Sequence, residues 1–301
     1  MHHKIEQIFA TVGCVGSLCV QDAEGRKEVG VAAGRPVVAA SVIKVLVAVE
    51  VERQIAAGRL DPSQRVRLPA QSRTPGPVGF SLYYDDVEVS LRDLLVPMLT
   101  ISDNVATDAL LALVSIASCN ATAVELGLSE TVIMDDLHTM INSIGQAAGF
   151  AGWDAMTAWA AGSHSVAEDA AVQERALSSR ATQAQTATRT TARDMCVLLR
   201  LIWSDRAAPE DACRRIRNLM ARQLTRHRLA AAFAPPIQVS AKSGSLLGVY
   251  RNEVGVIEYP AGRRYFAAVF TQTTDASRSE ASINAAIGRT AARAVALLAP
   301  E

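Results

Sequence analysis

The run from Val45 to Ile55, Val-Leu-Val-Ala-Val-Glu-Val-Glu-Arg-Gln-Ile, is apolar around most of a helical circumference. A helix of that kind must be covered on nearly every side, so other elements have to pack around it. Gly58 stands where it would stop, and a helix is predicted over Ser41 to Ala57. At its start lie Ser41 and Lys44, three positions apart and on one helical face where they can touch. A serine hydroxyl is a weak nucleophile until a base takes its proton. A lysine in dry surroundings can lose its charge and become that base. Ser-x-x-Lys is nonetheless common by chance, so the pair acquires meaning only with partners elsewhere in the chain.

At 301 residues the chain is long enough for a substantial core in one large domain or two interleaved ones. Formal net charge is +0 with 20% charged residues, which gives no electrostatic pointer to nucleic acid. No segment is apolar for long enough to span a bilayer, so no membrane partner is expected. The start, Met1-His2-His3-Lys4-Ile5-Glu6-Gln7-Ile8, carries no apolar stretch behind a basic end, and the sequence as it stands reads as cytoplasmic. Cys14, Cys19, Cys119, Cys196 and Cys213 are odd in number and form no CxxC pair, which predicts buried free thiols. The histidines do not cluster with other ligands, so neither a metal nor another cofactor is expected.

A short helix over 4–11 precedes two strands, Val15 to Val20 and Lys27 to Val31, joined by a turn at Asp22-Ala23-Glu24-Gly25. After the central helix, a proline- and glycine-rich connection runs from Leu68 to Gly79, and helices are predicted over Leu91 to Leu99 and Val105 to Ala117. Gln146 to Ala187 is rich in alanine, serine, threonine and glutamine, with Trp153 and Trp159 spaced like one helical face. Thr191 to Asp194 reads as a capping box ahead of the apolar run Met195 to Trp203. A further helix is predicted over Asp211 to Leu224. The period then changes. Gln238 to Leu246, Tyr250 to Tyr259 and Arg264 to Thr273 read as strands, with Pro260-Ala261-Gly262 as a turn, and Ser279 to Leu298 closes the chain as a helix. Strands at both ends with helices between predict an α+β fold: a five-stranded antiparallel sheet built from both termini, flanked by the terminal helices, beside a middle all-helical region. The predicted division is 1–40 with 225–301 for the sheet and 41–224 for the helices.

Ser41-x-x-Lys44, Ser102-Asp103-Asn104 and Lys242-Ser243-Gly244 stand at the edges of these elements, in that order. The set resembles the penicillin-recognising serine hydrolases, and most closely the class A β-lactamases. The resemblance covers nearly the whole chain, and the interval between Ser41 and Ser102 is similar to the family's. It implies that Ser41 attacks a carbonyl with Lys44 as the nearest base, and that the backbone N–H groups of Ser41 and Ser245 form the oxyanion hole. It further implies that Ser102 shuttles a proton and that Asn104 holds the substrate's amide side chain. Lys242, Ser243, Gly244 and Arg251 would line the place of a substrate carboxylate. Asp103 reads as a structural hydrogen-bonding residue.

Two departures qualify the resemblance. The family's Glu-x-x-Leu-Asn deacylation signature has no counterpart, and the corresponding stretch offers Asp135, Asp136 and His138 as candidate bases. Ser102 and Lys242 also stand 140 positions apart, roughly thirty or more beyond a plain class A chain, which places an insertion at about 139–187. The function implied is a serine hydrolase or acyl-transfer enzyme of specialised metabolism, forming an acyl-enzyme at Ser41. Its substrate would be a small carboxylate-bearing amide, lactam or ester, with an amine or alcohol as an acceptor. The alternatives are a true β-lactamase with a non-standard deacylating group, and an acylated or non-catalytic ligand-binding protein.

Overall fold

The structure is a computed structural model that describes residues 2–274 and 279–299. Helix α1 (His2–Thr11) leads into the hairpin β1 (Cys14–Asp22) and β2 (Glu28–Val31), followed by the two-residue β3 (Val37–Val38). A 3-10 turn, Ala40–Ile43, then feeds α2 (Lys44–Ala56). A ribbon of β4 (Arg65–Leu68) and β5 (Val87–Ser90) precedes α3 (Leu91–Thr100), α4 (Asn104–Val114) and α5 (Ile116–Glu125). Helices α6 (Leu137–Ala147), α7 (Trp153–Ala160) and α8 (Val166–Leu177) follow, then β6 (Arg189–Thr190), α9 (Ala192–Trp203) and α10 (Glu210–Met220). The chain ends with β7 (Gln238–Leu246), β8 (Tyr250–Glu258), β9 (Arg264–Thr273) and α11 (Glu280–Leu298).

The expected sheet is present, antiparallel throughout, in the order β2-β1-β9-β8-β7. Successive side chains along a strand point to opposite faces, and here both faces are apolar. Leu18 and Val20 pack with Ile5, Phe9, Ile287 and Ala291 of the terminal helices. Cys19, Val254 and Phe266 pack on the other face, in the core that holds α2 and α9. Val45 to Val49 and Val51 are fully buried, as the all-round apolar pattern requires. The acidic residues of the run are matched inside: Glu50 accepts from Thr122 Oγ1 at 2.6 Å, and Glu52 pairs with Arg215. All five cysteines are buried free thiols. Among the described residues no single helix is long and apolar enough to cross a membrane.

Several local expectations are corrected. The helix predicted from Ser41 begins as a 3-10 turn and becomes α-helical only at Lys44. The helix predicted over Val105 to Ala117 breaks at Ser115, whose φ of 72° ends α4 and whose hydroxyl caps α5. Trp153 and Trp159 both lie on α7, but six residues turn a helix by about 240°, so they serve different neighbours. Trp153 lines a cavity, and Trp159 stacks on His164. Only half of the Thr191 capping box forms: the hydroxyl accepts from Asp194 N at 3.0 Å, while the Asp194 carboxylate accepts from Thr131 Oγ1 and Glu130 N. The helix predicted over Asp211 to Leu224 spans Glu210–Met220. The middle region is not all helical: the β4–β5 ribbon brackets the connection expected over Leu68 to Gly79, and β6 lies ahead of α9; four-residue runs such as Arg65-Val66-Arg67-Leu68 are too short for their alternation to signal a strand.

Candidate active site

The 3-10 turn carrying Ser41 is held against the edge strand β7 by a close backbone approach. A Cβ at Gly244 would lie 2.9 Å from Ser41 N and 3.1 Å from Val42 N, so only glycine admits that contact. From the other side Asn252 on β8 donates its amide to Val38 O and Ala39 O at 3.0 and 3.2 Å. Ala40, just before the serine, takes a φ of 47°, a left-handed conformation held by this surrounding structure. Ser41 lines a cavity of about 760 Å³ together with Lys44, Asn104 and Ser245. Its hydroxyl makes no hydrogen bond among the described residues.

Lys44 is fully buried, and its amine is turned to the Ser102 loop instead of to Ser41. It donates to Ser102 O at 2.7 Å and Asn104 Oδ1 at 2.8 Å, and it lies 3.4 Å from Ser102 Oγ. Burial disfavours the charged amine and pulls its pKa down to about 7, against the opposing pull of Asp103 and Asp108. Lys242, also fully buried, donates to the same Ser102 Oγ at 2.9 Å and to Ser243 O at 2.7 Å. Burial first, and then the charge of Lys44, hold its pKa well below the ordinary lysine value. Ser102 itself has a φ of 67°, which sets its hydroxyl between the two amines.

Asp103 is structural, as its sequence reading holds. Oδ1 caps α4 by accepting from Ala106 N at 3.0 Å, and Oδ2 accepts from Phe80 N at 2.7 Å. Asn104 shares its amide between Lys44 and Pro75 O, the latter at 2.9 Å. Ser243 is nearly buried, and its N–H donates to Gln223. Arg251 does not line the cavity and is ion-paired with Glu280 at the start of α11. The three candidate deacylating residues are placed apart. Asp135 lines the cavity and pairs with Arg180 at 2.9 Å. Asp136 caps α6, accepting from Thr139 N at 2.6 Å. The side chain of His138 is exposed and not part of the cavity wall.

The β-lactamase enzyme family profile matches residues 1–296 of the chain. The chain belongs to the β-lactamase enzyme family. It is 29% identical over 294 residues to the β-lactamase regulatory protein BlaB of Streptomyces cacaoi, covering 93% of this chain and 92% of that protein. The β-lactamase of Sphaerobacter thermophilus has a TM-score of 0.75 at 22% identity, over 99% of this chain and 98% of that one. PBP-A has a TM-score of 0.73 at 19% identity, over 99% and 97% of the two chains. At these identities the solved structures establish a shared fold, which is the penicillin-recognising serine hydrolase fold.

Within this β-lactamase-family site, several residues escaped the sequence reading. Asp108, one turn after Asn104 on α4, accepts from Thr74 Oγ1 and from the N–H groups of Leu137 and His138, tying two loops beneath the cavity. Its spacing from Asn104 is the one signal that could have found it. Arg228, nearly buried, donates to Gly244 O, Asn252 O and Ser245 Oγ, the last at 2.7 Å, and so braces β7 from behind. Glu253, opposite Ser243 in the sheet, accepts from Gln223 Nε2 at 3.0 Å and from Leu229 N at 2.6 Å. Its burial raises the carboxyl pKa. No sequence periodicity distinguishes these polar residues from solvated ones.

Proposed function

We propose that the chain is a β-lactamase-type serine acyl-transfer protein in which Ser41 is acylated by a small carboxylate-bearing amide, lactam or ester. The observation that carries this reading is the Ser102 hydroxyl between the amines of Lys44 and Lys242, beside a cavity that Ser41 lines. With Lys44 neutral, Ser41 Oγ attacks the carbonyl carbon and its proton passes to the Lys44 amine. The N–H groups of Ser41 and Ser245 receive the oxyanion. Collapse breaks the bond to the leaving nitrogen or oxygen, which takes its proton from Ser102, and Ser102 is reprotonated by Lys44. The ester on Ser41 is then the intermediate, to be released by water or by an amine or alcohol acceptor.

Water release is the weak step in this reading. Of the candidate bases only Asp135 reaches the cavity wall, and its carboxylate is engaged by Arg180. A long-lived acyl form follows, which suits transfer to an acceptor. It also suits a second reading, an acylated sensor, which the similarity to a β-lactamase regulatory protein favours. Intact-protein mass spectrometry after mixing with a fluorescent penicillin, with Ser41→Ala as control, tests both. A persistent adduct on the parent protein and none on the variant is expected; equal labelling of the two would defeat the assignment of Ser41. Release only on adding an amine or alcohol selects transfer over sensing.

A further inference from the structure

Resting on the reading of Ser41 as the acylated residue and Ser245 N–H as an oxyanion donor, we infer that Gln223 is a positioning residue for that donor. Its side-chain amide caps the outer edge of β7 at Ser243 and so aims the Ser245 N–H at the acyl carbonyl. Gln223 lies in the turn after α10, where its own N–H donates to Met220 O at 3.3 Å, and its side chain is nearly buried. Strand β7 is the last in the sheet, so every second residue along it turns its N–H and C=O away from β8, toward an edge that no strand covers. Ser243 is one of these, because its N–H donates to Gln223 Oε1. Two residues on, Ser245 turns its N–H to the same edge and lines the cavity with Ser41. One side-chain amide thus supplies at Ser243 the acceptor that a neighbouring strand would otherwise provide.

Both ends of that amide are specified. Nε2 donates to Glu253 Oε1 at 3.0 Å and to Thr225 O at 2.9 Å. Turned over, the amide would set its oxygen against two acceptors and its NH2 against the Ser243 N–H, and all three bonds would be lost. Glu253 is fully buried and is fixed in turn by Leu229 N, which donates to Oε2 at 2.6 Å. The outward carbonyl of Ser243 accepts from Lys242 Nζ at 2.7 Å, and Gly244 O accepts from Arg228 at 3.0 Å. The strand is therefore held at 243 and 244, which leaves the Ser245 N–H little freedom of direction. An oxyanion donor is effective when it is already aimed at the place where charge develops. A cap two residues upstream acts on the transition state in this way without touching the substrate.

The test compares Gln223→Met, which keeps the length and removes the acceptor, with the exchanged pair Gln223→Glu, Glu253→Gln. In the pair, one carboxylate oxygen accepts from Ser243 N and the other from the new amide, whose oxygen still accepts from Leu229 N; the bond to Thr225 O is lost. The readout is the rate constant for mass gain on Ser41 at saturating fluorescent penicillin. Losing an oxyanion donor outright slows reaction roughly 100-fold or more, so Gln223→Met, which leaves the donor misaimed, is expected to be at least about tenfold slower than the parent. The half-saturating concentration should change little, because the interaction is made in the transition state. The exchanged pair is expected to recover most of the rate. A side chain that only ties the turn to the sheet would lower the melting temperature of Gln223→Met and leave its rate intact. That result, or a folded pair as slow as Gln223→Met, overturns the inference. Gln223→Asn, which draws the amide back by one methylene, takes the place of Gln223→Met if the latter does not fold. If the parent gains no mass, the acyl-enzyme reading fails and the cap is judged separately, by the Ser245 amide resonance in NMR spectra of the three proteins. A resonance displaced in Gln223→Met and returned in the pair upholds the cap; any other pattern overturns it.

Discussion

The amine of Lys242 stands 2.9 Å from the hydroxyl oxygen of Ser102. Lys44 approaches the same oxygen at 3.4 Å, so two buried amines share one small acceptor and cannot both carry charge without strong repulsion. Burial already holds Lys44 near pKa 7. Acylation that needs a neutral Lys44 therefore falls as pH drops below about 7, tenfold per unit, and levels off above it. The rate of adduct formation with a penicillin across pH 5 to 9 checks this, and a flat profile removes Lys44 as the base.

Asp108 stabilises the charged form of Lys44 and so raises its pKa. Asp108→Asn removes that negative charge, and the acid limb of the profile should move to lower pH. The variant also weakens the acceptor for Leu137 N and His138 N, at a cost of about 1–3 kcal/mol read from denaturant unfolding. An unmoved limb in a folded variant would mean that Asp108 only ties the loops.

Gly244→Ala places a methyl 2.9 Å from Ser41 N. The backbone on both sides is fixed, so the overpacking should destabilise by about 1–3 kcal/mol. Displacing the nucleophile and its N–H should slow acylation by roughly 100-fold. Paired melting curves and adduct kinetics separate the two effects, and a fully active variant would refute the close approach.

Asp135→Asn should leave the lifetime of the adduct within about twofold, because the carboxylate is paired with Arg180 and is poorly free to act as a base. A lifetime lengthened tenfold or more identifies Asp135 as the deacylating residue.

The fold was largely legible in the order of periods. Alternating runs at both termini and the all-round apolar run Val45 to Ile55 leave few ways to bury every face, and the sheet and the buried helix follow. The break at Ser115 and the β4–β5 ribbon were not legible, because a positive φ on serine and alternation with exposed arginines look like ordinary helix and loop. In the site, the motifs named Ser41, Lys44 and Asn104, which line the cavity, and Ser102, Lys242, Ser243 and Gly244, which do not; Arg251 faces Glu280, and Asp108, Arg228 and Glu253 lay outside every motif. Their roles depend on charge and burial relative to residues distant in sequence.

The sequence by itself determined the family, the fold class and the residue types at Ser41, Lys44, Ser102 and Lys242. Motif chemistry and hydrophobic period are local properties, and they are written in neighbouring residues. The tertiary structure alone decided that Lys44 turns to Ser102, that Asp135 is held by an arginine 45 positions away, and that Met140, Ile144 and Trp153 of α6 and α7 line the cavity with Ser41. Those are matters of distance and dielectric between segments far apart in the chain, and no local pattern encodes them.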